Sequence, residues 1–150
     1  MANFLTDGRE AFVAALQADP AIDPLVKKWF EFAAGLTERF DVTPAMCPFI
    51  AIYPSEGNVD ERFNRANEIN HDLDVIVGTD TQDVAQIEEL GALILDRIIA
   101  CRNDALGLSD AGLKTVQALS LSWLPWKDEK AARIIWQLII RVRLQWIRNT

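Results

Sequence analysis

The sequence predicts an α+β domain: an antiparallel or mixed β-sheet with a long C-terminal hairpin, helices packed on one face, and a helical N-terminus. Residues 132–146 alternate apolar and polar side chains, which is the period of a β-strand. Residues 81–102 repeat apolar side chains every three or four positions, which is the period of a helix. Because the predicted strands come in pairs with this helix between them, the pattern favours α+β over alternating βαβ units.

Length and composition indicate one globular domain over residues 1–150. Half of the 150 residues are hydrophobic and 25% are charged, which is ordinary for such a domain. The first ten residues lack a basic segment followed by an apolar stretch, so we expect neither a signal peptide nor a membrane span. Cys47 and Cys101 have no CxxC spacing, and we expect both to be packed thiols in a reducing cytoplasm.

The N-terminal part is predicted to form two helices separated by prolines. Phe12 and Leu16 lie at helical spacing in the first helix. Pro24 suits the first turn of the second helix, with Asp23 as its N-cap. The apolar residues of that second helix are Ile22, Leu25, Val26, Trp29, Phe30 and Ala33. Residues 43–48 are predicted to be an extended connector, because a residue that precedes proline disfavours the α region.

Two short strands follow, joined by a long polar segment. Residues 49–53 are rich in β-formers and stop at Pro54, and residues 71–77 alternate apolar and polar side chains before Gly78. The segment between them, residues 55–70, is longer than a hairpin connection in a compact domain needs. We therefore expect residues 55–70 to form a mobile or functional loop.

The helix predicted over residues 81–102 is expected to pack on the sheet, with Asp80 or Thr81 placed to cap it. Its periodic residues are Val84, Ile87, Gly91, Ile94, Leu95 and Ile98.

A hairpin is predicted at the end of the sequence, with arms at residues 116–126 and 132–146 and a charged tip at residues 127–130. At about 3.3 Å per residue the second arm would extend roughly 50 Å, two to three times the usual strand, so it should project beyond the core. Its polar face presents three arginines, namely Arg133, Arg141 and Arg143. We expect this projection to contact another chain with an acidic or polar surface.

Charge is unevenly distributed along the chain. The net charge is −7, and residues 127–150 carry +4, which leaves −11 for residues 1–126. Residues 54–83 contain eight acidic residues and only two basic ones, Arg62 and Arg65. This local excess of acid argues against phosphate binding by that segment. The opposite net charges of the two parts of the chain favour head-to-tail association of subunits. A solvated acidic face is the alternative explanation for the same number of acidic residues.

The sequence offers little catalytic chemistry. His71 is the one histidine, and although it adjoins Asp72, a locally hydrogen-bonded strand residue is the favoured interpretation over a catalytic pair. GxSxG, GxGxxG and GxxxxGK[ST] motifs are absent. Asp72 and Asp74 could together hold Mg²⁺ or Ca²⁺, but a solvated strand face is favoured. We expect no catalytic site, no metal and no cofactor.

The C-terminal hairpin is also rich in tryptophan. These residues could stack on nucleic-acid bases beside the arginines, but core or interface packing is the favoured interpretation. They are Trp123, Trp126, Trp136 and Trp146.

Taken together, these elements resemble the tail terminator proteins of tailed bacteriophages, a minor tail protein family. The resemblance covers most of the chain and rests on element order and pattern, without a diagnostic short motif. Its parts are the helical start, the proline-bounded strand 48–53, the strand 71–77, the helix 81–102, and a hairpin with a Trp-rich first arm 119–126 and a long second arm 132–146.

The resemblance implies one tail-terminator-like domain, residues 1–150, that forms a hexameric ring. Such a ring caps the head-proximal end of the tail tube, binds the tail tube protein and a neck or head-completion protein, and lets genomic DNA pass without sequence-specific contact. It implies a non-enzymatic virion protein at the tail–neck junction, assembled in the host cytoplasm. The alternatives are another neck or head-completion connector subunit, or a standalone cytosolic binding domain or small enzyme.

The interface residues expected for this role are the charged positions of the 55–70 segment and of the hairpin, together with one tryptophan. They are Glu56, Asp60, Glu61, Arg62, Arg65, Trp126, Lys127, Lys130, Arg133, Arg141 and Arg143.

Overall fold

The computed structural model describes residues 3–30, 44–61, 66–80, 84–128 and 133–149. Within these ranges, only the backbone is described for residues 55–61, 66, 126–128, 133 and 149. The elements in chain order are α1 (Phe4–Gln17), β1 (Lys28–Phe30), β2 (Phe49–Glu61), β3 (Ala66–Thr79), α2 (Val84–Asp104), β4 (Leu113–Asp128) and β5 (Arg133–Asn149). Short 3₁₀ turns lie at Asp23–Leu25, Pro44–Met46, Ala105–Gly107 and Ser109–Ala111.

The five strands form one mixed sheet in the order β1-β2-β3-β5-β4. β1 is parallel to β2, and every other neighbouring pair is antiparallel. The predicted α+β class, with a helical N-terminus and helices packed on a mixed sheet, is therefore confirmed.

The long C-terminal hairpin is also confirmed. β4 has 16 residues and β5 has 17, and they pair from Leu113 opposite Trp146 to Asp128 opposite Arg133. The predicted tip lies partly in residues 129–132, outside the described part of the chain. β5 lies between β3 and β4, so the hairpin is built into the sheet along its length.

The predicted second helix is wrong for the residues up to Phe30. Pro24 does lie in a short helical turn, but it ends at Leu25, and residues 28–30 form β1 instead. The Lys27 N–H donates to the Pro48 carbonyl at 2.8 Å, at the start of the parallel pairing with β2. Residues 28–30 therefore form a strand, because backbone pairing with β2 outweighs the helical spacing of their apolar side chains. Residues 31–43 lie outside the described ranges.

The predicted loop over residues 55–70 is wrong as well. β2 continues to Glu61 and β3 begins at Ala66, and their backbones pair from Glu56 opposite Asp72 to Glu61 opposite Asn67. The register shifts once, after Pro54, which has no N–H to donate to the ladder. The segment forms strands because backbone hydrogen bonds between β2 and β3 do not depend on whether the side chains are polar or apolar. β3 is itself held in place by its pairing with β5. Residues 62–65 lie outside the description.

The main core lies between the sheet and the two helices. Alternate side chains of the central strands, such as Val75 on β3 and Ile140 on β5, are fully buried beneath α1 and α2. Helix α1 is capped by Asn3, whose side chain accepts a hydrogen bond from the Thr6 N–H at 2.9 Å. Gly91 of α2 lies directly against a buried leucine of β5, where a Cβ atom would collide with that side chain. The helices thus cover one face of the central sheet closely.

Three smaller observations complete the fold. Within the described ranges, neither helix has both the length and the apolar content needed to cross a bilayer. Cys47 and Cys101 are not joined by a disulfide, and Cys101 is buried. Burial is the main cause that raises the pKa of the Cys101 thiol, so this side chain is a packing residue, as the sequence predicts.

Candidate functional site

The face of the sheet opposite α1 and α2 carries a row of polar side chains. On β3 this row contains Asp72 and Asp74, and on β5 the two arginines directly opposite them, Arg143 and Arg141. Further along, the Gln145 side chain donates a hydrogen bond to Glu68. The row therefore links the two central strands by charge and hydrogen bonding on the face opposite α1 and α2.

Asp72 and Arg143 form the tightest contact of this row. Arg143 donates through Nε to Asp72 Oδ1 at 2.8 Å and through its second terminal nitrogen to Oδ2 at 3.0 Å, a bidentate geometry. Asp72 is only 1% exposed. Arg141 and Asp74 form a single contact of 3.1 Å and are both more exposed. The sequence-based preference for a solvated strand face is thus wrong for Asp72.

These ion pairs bear on two sequence predictions. Each carboxylate already meets a guanidinium, so Asp72 and Asp74 do not form an oxygen-lined cation site, and no cluster of three or more His, Cys, Asp or Glu among the described residues is placed to hold a metal. Arg141 and Arg143 were expected at an interface with another chain. The structure gives both arginines partners within the chain, and their interface role stays a prediction.

The remaining predicted interface residues are placed only by their backbones or not at all. β2 pairs Glu56 with Asp72 and Asp60 with Glu68, and Glu61 ends the strand. At the hairpin end, Trp126 and Lys127 of β4 stand opposite residues 135 and 134, and Arg133 stands opposite Asp128. Three further predicted residues, Arg62, Arg65 and Lys130, lie outside the described residues.

The structure reveals a set of exposed apolar side chains that the sequence analysis missed. Leu121 and Trp123 of β4 stand opposite Ile140 and Leu138 of β5, which are buried in the core. Directly opposite residues share a sheet face, so Leu121 and Trp123 lie on the helix side of the sheet, yet they are 53% and 47% exposed. Ile134, on the same face of β5, is 47% exposed. We call Leu121, Trp123 and Ile134 the apolar ledge.

The apolar ledge lies on the helix side of the sheet, but α1 and α2 leave its side chains about half exposed. Gly91 brings α2 down onto Leu138 of β5, while the neighbouring strand β4 extends past that contact. The projection of the hairpin beyond the core stays a prediction, since β5 pairs with β3 as far as Trp136 and Ile135 is buried against Phe49. Leu121 and Trp123 are two positions apart, as expected of residues on one strand face, but their exposure is visible only in the folded structure. Exposed large apolar side chains on one sheet face are typical of a protein-binding site.

A cleft lies at the opposite edge of the sheet. It has a volume of about 290 Å³ and lies between α1, β1 and β2. Its apolar lining comes from Val13 and Ala14 of α1, Trp29 and Phe30 of β1, and Ile52 of β2. Its polar lining residues are Arg9, Glu10 and Gln17. We call this the α1–β1 cleft.

His71 lies on the helix side of β3 and is partly buried. Burial lowers the pKa of His71 below its ordinary value, the nearby charge of Arg9 lowers it further, and Asp72 acts in the opposite direction. The buried His71 Nδ1 and Trp146 Nε1 atoms have no hydrogen-bond partner in the described structure. The folded state therefore favours the neutral imidazole.

The lowered pKa of His71 predicts that the subunit becomes less stable on mild acidification. Because the unfolded chain binds the proton more readily than the folded one, this contribution to stability is intact above the unfolded pKa of about 6.5 and is lost as the pH falls through the folded value. We compare thermal unfolding of the wild type and of His71→Gln at about pH 7 and pH 5.5. The melting temperature should fall less on acidification in the variant than in the wild type. An equal fall in melting temperature would contradict the assignment of the pH dependence to His71.

Comparisons with known proteins find similarity in fold among solved structures. No protein-family model matches the chain, and no curated protein matches it in sequence. Among solved structures, the chain is similar to a chain in the virion of native gene transfer agent (GTA) particle. The match covers 91% of this chain and 93% of that chain, with 17% sequence identity and a TM-score of 0.49. At this degree of similarity no role is transferred from that particle.

Proposed function

We propose that this chain is a structural subunit of a phage-like virion and, within that class, a tail terminator. Six copies form a ring that caps the head-proximal end of the tail tube and joins it to the neck. The ring binds the tail tube protein on one side and a neck or head-completion protein on the other. Genomic DNA passes through its lumen without sequence-specific contact.

The observation that carries the proposal is the apolar ledge on the long β4–β5 hairpin. Leu121 and Trp123 on β4 and Ile134 on β5 are each about half exposed. Large exposed apolar side chains on one face of a hairpin favour burial against another protein. This is the feature expected of a subunit that functions in an assembly, and it agrees with the element order that resembles the terminator family.

The charge distribution supports the placement of DNA in the lumen. Residues 54–83 carry an excess of six negative charges, and these residues include most of β2 and β3. On the face of the sheet opposite α1 and α2, Arg141 and Arg143 are paired with Asp74 and Asp72. A surface with an excess of negative charge repels phosphate and lets a duplex slide.

We expect the purified protein to form closed rings with six times the 16.9 kDa subunit mass. Analytical ultracentrifugation measures the mass, and negative-stain electron microscopy of the protein mixed with its cognate tail tubes shows whether a ring sits at the tube end. Tubes incubated without the protein are the control. Monomers at high concentration together with uncapped tubes would contradict the proposal, and rings that bind neck complexes but not tubes would favour a connector subunit instead.

A further inference from the structure

We infer that two copies of this chain pair through the open edge of β4, as antiparallel strands with Ser122 of one copy opposite Ser122 of the other. The contact uses residues 120–124 and covers Leu121 and Trp123 of the apolar ledge in both copies. The pairing itself does not depend on the proposed ring. Its role, which is to cover these side chains on the free subunit before assembly, rests on the proposed function.

β4 offers an open backbone edge. It lies at one end of the described sheet, with β5 as its only described neighbour, and all residues from 118 to 125 are exposed. The backbone N–H and C=O groups on the outer side of such a strand are a template for pairing with a strand of another chain. The strand at the other edge, β1, has three residues and begins with Lys28. β4 is therefore the edge with the larger capacity to add a strand.

The open edge of β4 is limited to residues 120–124. Leu119 lies at a bulge, where the register with β5 shifts, and Pro125 has no N–H to donate. Bulges and prolines both protect sheet edges against pairing. Between them β4 has no charged residue, and its nearest charged residues are Lys114 and Lys127. Residues 120–124 thus lack the features that keep an edge strand from pairing.

This segment is complementary to a second copy of itself. Ser122 is its central residue, with Leu119 and Pro125 three positions away on either side. Antiparallel pairing about Ser122 therefore uses the whole open segment and brings neither interruption into it. Each Leu121 then lies opposite the Trp123 of the other copy, and aromatic–aliphatic pairs of this kind stabilise antiparallel strands. Since neither copy brings a charge into the contact, identical segments meet without repulsion.

A symmetric pair differs from a ring contact. Two strands related by a twofold axis through Ser122 place their subunits in opposite orientations, whereas all subunits of a ring with two different ends have the same orientation. The pair therefore cannot be the contact between neighbours in the proposed ring. It covers Leu121 and Trp123 while the subunit is free, and it must separate before these side chains bind their partner in the assembly.

Cysteine cross-linking tests the register of the pair. Directly opposite residues of antiparallel strands have Cα atoms about 4.5–5.5 Å apart, which suits a disulfide. Ser122→Cys should therefore form a disulfide-linked dimer when the purified protein is treated with a mild oxidant. Ser120→Cys is the control, because it is exposed on the same strand but its two copies would lie about 13 Å apart along the strands.

We expect Ser122→Cys to cross-link at least about ten times as fast as Ser120→Cys, since two thiols held opposite each other react much faster than two that meet by diffusion. The wild type, treated in the same way, gives the background from Cys47 and Cys101. Thermal unfolding of each purified variant verifies that the subunit is folded.

A charged variant tests the pairing without a new thiol. Ser122→Lys places two lysines directly opposite each other, and their repulsion should raise the dissociation constant of the pair at least about tenfold. Ala92→Lys adds the same charge at an exposed position of α2 and should leave that constant unchanged. Sedimentation velocity over a range of subunit concentrations measures both constants.

The outcomes separate this contact from the proposed function. Equal cross-linking rates for the two cysteine variants, or a Ser122→Lys variant that pairs as the wild type does, would overturn the β4 pair and leave the ring untouched. A Ser122→Cys thiol that forms no dimer and becomes inaccessible to a thiol reagent only when tail tubes are bound would make a strand of the tube protein the occupant, and would also overturn the pair. A wild type that pairs in this way but neither forms rings nor caps tubes would overturn the proposed function and the role before assembly, while the pair itself stands.

Discussion

Replacing Trp146 by alanine is expected to destabilise the subunit by about 3–5 kcal/mol, the usual cost of removing a fully buried aromatic side chain. Trp146 has no exposed surface. It packs edge to face against Phe4 at a centroid distance of 5.0 Å, and Gly8 of α1 lies so close that a Cβ atom there would collide with its ring. Its loss leaves a cavity between α1 and β5. In a domain of this size the melting temperature should fall by roughly 6–20 °C.

Trp123→Ala is the matched control for Trp146→Ala. Both tryptophans belong to the β4–β5 hairpin, but Trp123 is half exposed. Its removal from the isolated subunit should change stability by no more than about 0.5 kcal/mol. Equal melting temperatures for the two variants, measured by circular dichroism under conditions that keep the subunits monomeric, would contradict the assignment of Trp146 to the core and Trp123 to the surface.

Asp72→Ala is expected to destabilise the subunit by about 3 kcal/mol, because it leaves the Arg143 guanidinium without its bidentate partner in a largely buried setting. The side chain of Arg143 is 25% exposed, so water compensates in part and the effect lies at the lower end of the usual range. Chemical denaturation of the wild type and the variant measures the difference in the free energy of unfolding.

The neighbouring pair provides the control. Asp74 and Arg141 are 24% and 39% exposed and share a single contact, so Asp74→Ala should cost at most about 1 kcal/mol. An equal loss in the free energy of unfolding for Asp72→Ala and Asp74→Ala would contradict the idea that burial makes the Asp72–Arg143 pair the more stabilising one.

Local pattern predicted the elements whose period is strong. β5 alternates over most of its length, and α2 repeats its apolar residues over several turns, so neighbouring residues alone indicate both elements. β1 was missed because its three residues are held by pairing with β2, some twenty positions later in the chain. The β2 segment after Pro54 was missed because polar strand residues look like a loop until a backbone partner is known.

The candidate site was less predictable than the fold. Arg141 and Arg143 were correctly assigned to the polar face of the hairpin, but their partners lie 67 and 71 residues earlier in the chain, and spacing does not reveal such contacts. The exposure of the apolar ledge depends on where the helices lie over the sheet. Local pattern predicts which side chains share a face, whereas exposure depends on the packing of the whole molecule.

The central position of β5 has a consequence for the order in which the chain folds. β5 is the last strand described, and it lies between β3 and β4. While the chain emerges from the ribosome, β3 and β4 have no common neighbour, and buried side chains such as Leu73 and Val75 stay uncovered on one side. Because long-range pairing must wait for β5, the sheet closes in a late step. A nascent chain stopped before residue 133 therefore lacks both the finished sheet and the hairpin.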